Sequence, residues 1–264
     1  MVEPHLSFRD AALKIIWAGE LRRQLHARFA AFADTKPYEV TLEHKPDEGG
    51  YAFGAKITQP LPYEIPCLIG DVCHNLRASL DFCFMGLKRS LDPESKRTGN
   101  VPFGTNRKDC KGTVRKVFEP IASAPVVDAL TELFCDTIKT HQDFPAGGNW
   151  LLYALNDLSN WQKHNMLIAT PCVTKLAQDA TLISDDGSRA TCGGAKIGSN
   201  AIFLSGNVSL HQSGDPTIEI VIEGEHLARR RDALPLLADF EQATIEALKA
   251  FCEAFPSADN PKFV

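Results

Sequence analysis

No Cys-x-x-Cys pair occurs among the eight cysteines (67, 73, 83, 110, 135, 172, 192 and 252), so the common zinc-ribbon and dithiol-redox signatures are missing. No apolar run approaches the ~18 residues needed to span a bilayer. Met1-Val2-Glu3-Pro4-His5 carries neither the charged region nor the apolar core of an export signal. Positive charge is not in excess: a formal net charge of -5 and a pI near 5.9 argue against general duplex nucleic-acid binding through phosphates. No Gly-x-Ser-x-Gly elbow, Walker loop or His-x-x-x-His pair is present, so no cofactor and no metal is expected. Gly193-Gly194 with Gly198 lacks a strand-to-helix context and reads as turn glycine.

What remains is a chain of 264 residues, 44% hydrophobic and 23% charged, long enough to bury a sizeable core. Cysteines set within apolar helical patterns read as small buried hydrophobes with free thiols. They point to a reducing compartment, and the expectation is a cytoplasmic protein in which the Asn207-Val208-Ser209 sequon is unused. No internal repeat or low-complexity linker marks a boundary, so residues 1–264 are expected to form one α+β domain.

Periodicity orders the elements. Ser7-Phe8-Arg9-Asp10 has the form of a capping box, and Trp17, Leu21, Leu25, Phe29 and Phe32 recur at helical spacing, predicting a first helix over 7–34. Alternation of Tyr38, Val40 and Leu42, turn residues over 46–50, and alternation of Tyr51, Phe53, Ala55 and Ile57 predict a β-hairpin over 37–58. The middle of the chain, 65–166, reads as helical. It holds a long helix over 65–91, a polar and locally basic loop over 92–119, a helix over 126–140, a break at 143–148, and a helix over 149–166. Short strands between Asp-Gly, Gly-Gly and Gly-Asn turns predict an antiparallel β-sheet meander over 167–223. A last helical part over 227–255 is opened by Arg229-Arg230-Arg231, a solvated charge run. It carries Leu237, Phe240, Thr244, Leu248, Phe251 and Phe255 at a spacing suited to the first helix or to a partner subunit, that is, a homodimer through the terminal helices. The fold expected is α+β, a layer of about five helices with an antiparallel sheet.

Two helices carry an unusual polar side. In the helix over 65–91, Ile69, Cys73, Leu76, Leu80, Cys83 and Leu87 make the buried stripe, while His74, Arg77 and Asp81 are spaced i, i+3, i+7, within about 60° of one another. Asp71 and Asn75 flank them. In the helix over 149–166, the stripe is Leu151, Leu152, Leu155 and Leu158. Asn149, Tyr153, Asn156, Asp157, Lys163 and His164 gather within about 60° of Asn160. Burying either polar side alone would strand charge and amide groups, so the two are expected to face each other. Asp81 then pairs with Arg77, and Asp157 orients His164 or His74. The candidate catalytic groups are His74, His164 and Asp81. The candidate ligand-binding groups are Asn75, Arg77, Asn156, Asp157, Asn160 and Lys163. The pocket suits a small polar or anionic ligand, and the alternative is a purely structural polar network.

Gly70-Asp71 with His74-Asn75-Leu76-Arg77-x-x-Leu80-Asp81, then Val101-Pro102-Phe103, Gln142 before an aromatic, and Asn160 with Lys163-His164 resemble a bacterial and phage family of uncharacterised proteins. That family has a His-Asn-Leu-Arg-Ser-Ala-Leu-Asp-His helix and an Asp-Lys-His-Arg motif. The resemblance covers roughly residues 37–250 and implies no activity. This chain departs from the pattern at Phe82, Gln162 and Asn165, where the family tends to carry His, Asp and Arg. The Arg-x4-His signature of HEPN-type metal-independent ribonucleases would start at Arg77 and require His at 82, where Phe stands. A ribonuclease reading therefore rests on His74 and His164.

Overall fold

The computed structural model describes residues 8–45, 50–92, 94, 99–103, 106–138, 150–165, 168–177, 180–191, 200–201, 207–211 and 214–255. Among the described residues there are six α-helices and eight strands, all strand pairs antiparallel, which makes the fold α+β. In chain order they are α1 (Arg9–Asp34), β1 (Tyr38–Lys45), β2 (Gly50–Ile57), α2 (Glu64–Leu91), α3 (Arg107–Phe118), α4 (Ala124–Ile138), α5 (Trp150–His164), β3 (Ile168–Lys175), β4 (Thr181–Ser184), β5 (Arg189–Thr191), β6 (Asn200–Ala201), β7 (Val208–His211), β8 (Thr217–Glu223) and α6 (Ala233–Ala254).

The helices pack around α2. Its predicted stripe of Ile69, Cys73, Leu76, Leu80, Cys83 and Leu87 is at most 1% exposed, and α1, α5 and α6 all lie against it. At the centre, Phe84 of α2 meets Phe118 of α3 and Phe134 of α4 edge-on, with ring centroids 5.5 and 5.4 Å apart. Phe134 in turn touches Phe251 of α6 at 4.9 Å, and Phe251 reaches Phe8 at 6.5 Å. One connected set of rings therefore ties four helices and the entry to α1 together. Edge-to-face pairs of this kind contribute about 0.5–1.5 kcal/mol each beyond their burial.

The first helix differs from its predicted face. Leu21, Leu25, Phe29 and Phe32 are buried, but Trp17 is half exposed, together with Leu13 and Ile16. In its N-terminal half the buried line is instead Ala11, Ile15 and Ala18. The small Ala11 and Ala18 lie on the buried side, and Ser79 Oγ of α2 donates to the Ala11 carbonyl at 2.9 Å. Phe8 occupies the N-cap with no side-chain hydrogen bond, and Ser7 of the expected capping box lies outside the described residues. The terminal helices pair within the chain, α6 lying on α1 with Arg22 Nε donating to Glu241 Oε2 at 2.7 Å.

Residues 92–119 are not the continuous loop expected. α3 occupies 107–118: Asn106 Oδ1 accepts from the Asp109 amide at 2.9 Å, Asn106 Nδ2 donates to Asp109 Oδ2, and Cys110, Val114 and Phe118 face inward at i, i+4, i+8. Three basic residues of this stretch pair with acidic residues of α4. Arg107 pairs with Glu132 and Asp136, Lys111 with Glu132, and Arg115 with Asp128. These pairs are exposed and add little to stability.

The hairpin forms as expected, with Tyr38 opposite Ile57 and Lys45 opposite Gly50. The later strands form no single meander. Three small sheets are present, ordered β1-β2-β6, β3-β8 and β5-β4-β7. β3 and β8 close on each other because their inward side chains, including Ile220 and Ile222, belong to the helical core. Leu182 of β4 belongs to a satellite cluster with Leu176, Ala180, Val40 and Leu42. The chain does not return to helix at 227 either. Residues 227–230 are turn, Arg230 adopts φ +59°, and α6 starts only after Asp232, whose carboxylate accepts from the Leu234 amide. The break at 143–148, the glycines 193, 194 and 198, and most of the strand expected near 201–204 lie outside the described residues.

Candidate functional site

Where α2 and α5 cross, Gly70 of α2 receives the Gln162 side-chain amide of α5. A Cβ at position 70 would overlap that amide. About two turns further along α2 the two polar sides meet through Arg77. Its side chain is 7% exposed, and Nε donates to Asn156 Oδ1 of α5 at 2.8 Å. Its Nη1 forms an ion pair with Asp81 Oδ1. Asp81 Oδ1 also accepts from the Val101 amide at 2.7 Å. The Phe103 ring covers the guanidinium, with Cζ 4.8 Å from the ring centroid, and the half-buried Tyr153 meets Phe103 edge-on at 6.5 Å. Burying a charged arginine requires such partners, because an unpaired charge in this environment costs several kcal/mol.

From Asn156 a row of polar groups leads outward along α5 at i, i+4, i+7. Asn160 Nδ2 donates to Asn156 Oδ1 and Lys163 Nζ donates to Asn160 Oδ1, both at 3.4 Å, with Asn160 and Lys163 exposed. Arg77, Asp81, Asn156, Asn160 and Lys163 are thus brought together, with the 101–103 segment as an added wall. The wall was visible in the sequence only as the Val101-Pro102-Phe103 motif, and no periodicity ties it to either helix.

Other expected members are placed differently. His74 is exposed, on an outer ridge with Cys67, Asp71 and Phe82, and no described hydrogen bond or ion pair joins it to Arg77. The separation of about 60° between positions i and i+3 is wide enough to put one residue in solvent and the other in the interior. Asn75 turns toward α1: its Oδ1 accepts from Lys14 Nζ at 3.0 Å, and its Nδ2 donates to the Asp71 carbonyl. Asp157 does not orient His74, because its Oδ2 accepts from the Leu227 amide at 2.8 Å. The side chain of His164, and Asn149 and Gln142, lie outside the described residues.

The turn that Asp157 holds contains His226, which sequence reasoning passed over. His226 Nε2 lies 3.1 Å from the Glu223 carbonyl, which makes Nε2–H the donor and leaves Nδ1 a buried acceptor without a described partner. Its ring stands edge-on to Trp161 at 5.2 Å, and Gly224, at φ +128°, fits beneath the same indole. The departures from the family pattern have structural settings. Phe82 is exposed with Lys14 Nζ 6.0 Å from its ring, Gln162 packs on Gly70, and Asn165 Nδ2 donates to the Trp161 carbonyl at 3.0 Å. Among the described residues no three His, Cys, Asp or Glu side chains gather as a metal site would.

Fold and site together define an α+β protein with a buried arginine at a helix crossing, linked by a polar row to the surface. No protein-family model, curated protein or solved structure matches the chain. Among the described residues no helix is long and apolar enough to cross a membrane.

Proposed function

We propose that the chain is a cytoplasmic binding protein whose α2–α5 crossing holds a small anionic ligand, a phosphate or carboxylate, between Lys163, Asn160 and the outer edge of Arg77. The observation that carries this reading is the Arg77 guanidinium. It is almost fully buried, is held by Asn156 and Asp81, and lies at the inner end of the row Asn156, Asn160, Lys163. Arginine suits the task because its planar donors match two anion oxygens at once. Asp81 and Phe103 position the guanidinium rather than touching the ligand.

The test is titration with inorganic phosphate and, separately, acetate, followed by calorimetry and by melting temperature. Saturable binding that weakens in Lys163→Ala and Asn160→Ala is expected; both side chains are exposed, so both variants keep the fold. Absence of saturable binding leaves Arg77 as a purely structural polar network and ends the proposal. The ribonuclease alternative needs two histidines at one place, and His74 on the outer ridge of α2 gives it no support. No described cysteine is in a disulfide, which favours a reducing compartment. For a homodimer, the outer face of α1, with Leu13, Ile16 and Trp17 exposed, is the surface of choice on the terminal helices.

A further inference from the structure

On α1, Leu13, Ile16 and Trp17 are 51%, 65% and 51% exposed, a cluster of large apolar groups facing solvent. The outward side continues as a regular seam. Leu13, Trp17, Glu20, Gln24, Ala27 and Ala31 recur at spacings of 4, 3, 4, 3 and 4, the repeat by which one helix packs along another. The inward side is a different line, Ile15, Ala18, Leu21, Leu25, Phe29 and Phe32, and it is already taken by the rest of the chain. α1 therefore carries two seams, of which the outer has no described partner.

The outer seam changes character along its length. Its N-terminal end is large and apolar, its middle is charged, with Arg23 Nη1 2.6 Å from Glu20 Oε2, and its C-terminal end is small, with Ala27, Ala30 and Ala31 exposed. Such a gradient complements itself in one orientation. We propose that the outer seam binds a second copy of this chain, the two α1 helices running antiparallel about a two-fold axis beside residue 22. Positions 13 and 31, 17 and 27, and 20 and 24 share that midpoint. Leu13 then faces Ala31 of the partner subunit and Trp17 faces Ala27 of the partner subunit, and each contact occurs twice.

Large side chains thus enter the hollows that alanines leave, and the seam closes without overlap. At the centre, Glu20 stands beside Arg23 of the partner subunit as well as its own, so the four charges alternate in sign. A parallel pair would set Trp17 on Trp17, Glu20 on Glu20, and alanine on alanine across a void, which disfavours it. Association also removes the Leu13, Ile16 and Trp17 side chains of both copies from water. This arrangement rests on the homodimer reading above, to which it adds orientation and register; the anion site plays no part in it.

Sedimentation velocity of the full-length chain at micromolar concentrations gives the dimer dissociation constant. Trp17→Ala and Ala27→Trp are each expected to weaken the dimer about tenfold or more. The double variant exchanges large and small residues across the two-fold and should recover most of that loss. Both positions are exposed, so the monomer keeps its fold, which circular dichroism checks. Arg23→Glu should weaken the dimer and Glu20→Arg with Arg23→Glu should restore it. Orientation is read by mild oxidation in a Cys67→Ser background: Leu13→Cys with Ala31→Cys should form an interchain disulfide, and neither change alone should. The two positions are about 27 Å apart along one helix, so the link cannot close within a chain. A wild type that stays monomeric overturns the homodimer reading and this proposal together. A dimer unaffected by Trp17→Ala overturns the α1 seam. A dimer that Trp17→Ala dissociates but that links through Leu13→Cys alone is parallel; it overturns the proposal and keeps the homodimer reading.

Discussion

Removing the Asp81 carboxylate leaves Arg77 charged in a site that is 7% exposed, with Asn156 as its remaining described side-chain partner. Deleting one member of a buried ion pair costs about 3–5 kcal/mol. Asp81 is 25% exposed, which screens part of that loss, and the Val101 amide loses its acceptor as well. An unmade hydrogen bond adds about 1 kcal/mol. For Asp81→Ala we therefore expect a loss of about 3 kcal/mol, equivalent to a fall in Tm of roughly 6–12 °C for a chain of this size. Urea unfolding followed by circular dichroism measures it, provided the slope against denaturant stays constant. The double variant Arg77→Met with Asp81→Leu removes both charges and is expected to recover most of the loss. The reasoning is refuted if Asp81→Ala costs less than about 1 kcal/mol, the range of a surface pair, or if the cycle shows no coupling between the two positions.

Gly70→Ala drives a methyl group into the Gln162 amide. Because that amide is the end of a flexible side chain and alanine favours helix over glycine by about 1 kcal/mol, the net loss should stay under about 1 kcal/mol, with Gly70→Ala plus Gln162→Ala more stable than the single variant, and the same unfolding assay reads both. Tyr38 donates to Asp215 at 3.0 Å, and burial with that carboxylate raises its pKa to about 12. Because the folded value lies above the unfolded one of about 10, this stabilisation is complete below pH 10 and is lost as pH rises toward 12. Ultraviolet titration should show one late tyrosine, absent in Tyr38→Phe. Among the thiols, exposed Cys67 should react first with an aromatic disulfide reagent, while Cys73, pushed up to about 12 by burial, should react only on unfolding. Single-stranded RNA should stay intact with or without chelator; cleavage lost in His164→Ala would restore the ribonuclease reading. Sedimentation should show a dimer that Trp17→Ser dissociates, and a monomeric wild type removes the α1 interface.

The sequence by itself determined the elements whose signal is local and strong. The hairpin was legible from alternation and turn residues. The helix carrying Leu76 and Leu80 was legible because six apolar groups repeat at one period, and the helix carrying Asn156 from its leucines after a glycine-rich break. The capping pair Asn106 and Asp109 with Cys110, Val114 and Phe118 is equally local, but the basic charge of the stretch read as loop and α3 was missed. Those charges gave no warning of their own, since the acidic partners at 128, 132 and 136 belong to the next helix.

Tertiary structure decided which polar residues share a site. Helical spacing groups His74 with Arg77, but only the position of α5 fixes the boundary between solvent and interior that runs between them. It likewise assigned Asp157 to the Leu227 turn, Asn75 to Lys14 of α1, and the 101–103 segment to Asp81, none of which is encoded in a short window. Pairing of β3 with β8 across some forty residues of intervening chain follows from the core that both bury, not from the turns near either. Periodicity specifies which side of an element seeks a partner; the identity of that partner is set by packing, because burial and charge are satisfied only by the chain as a whole.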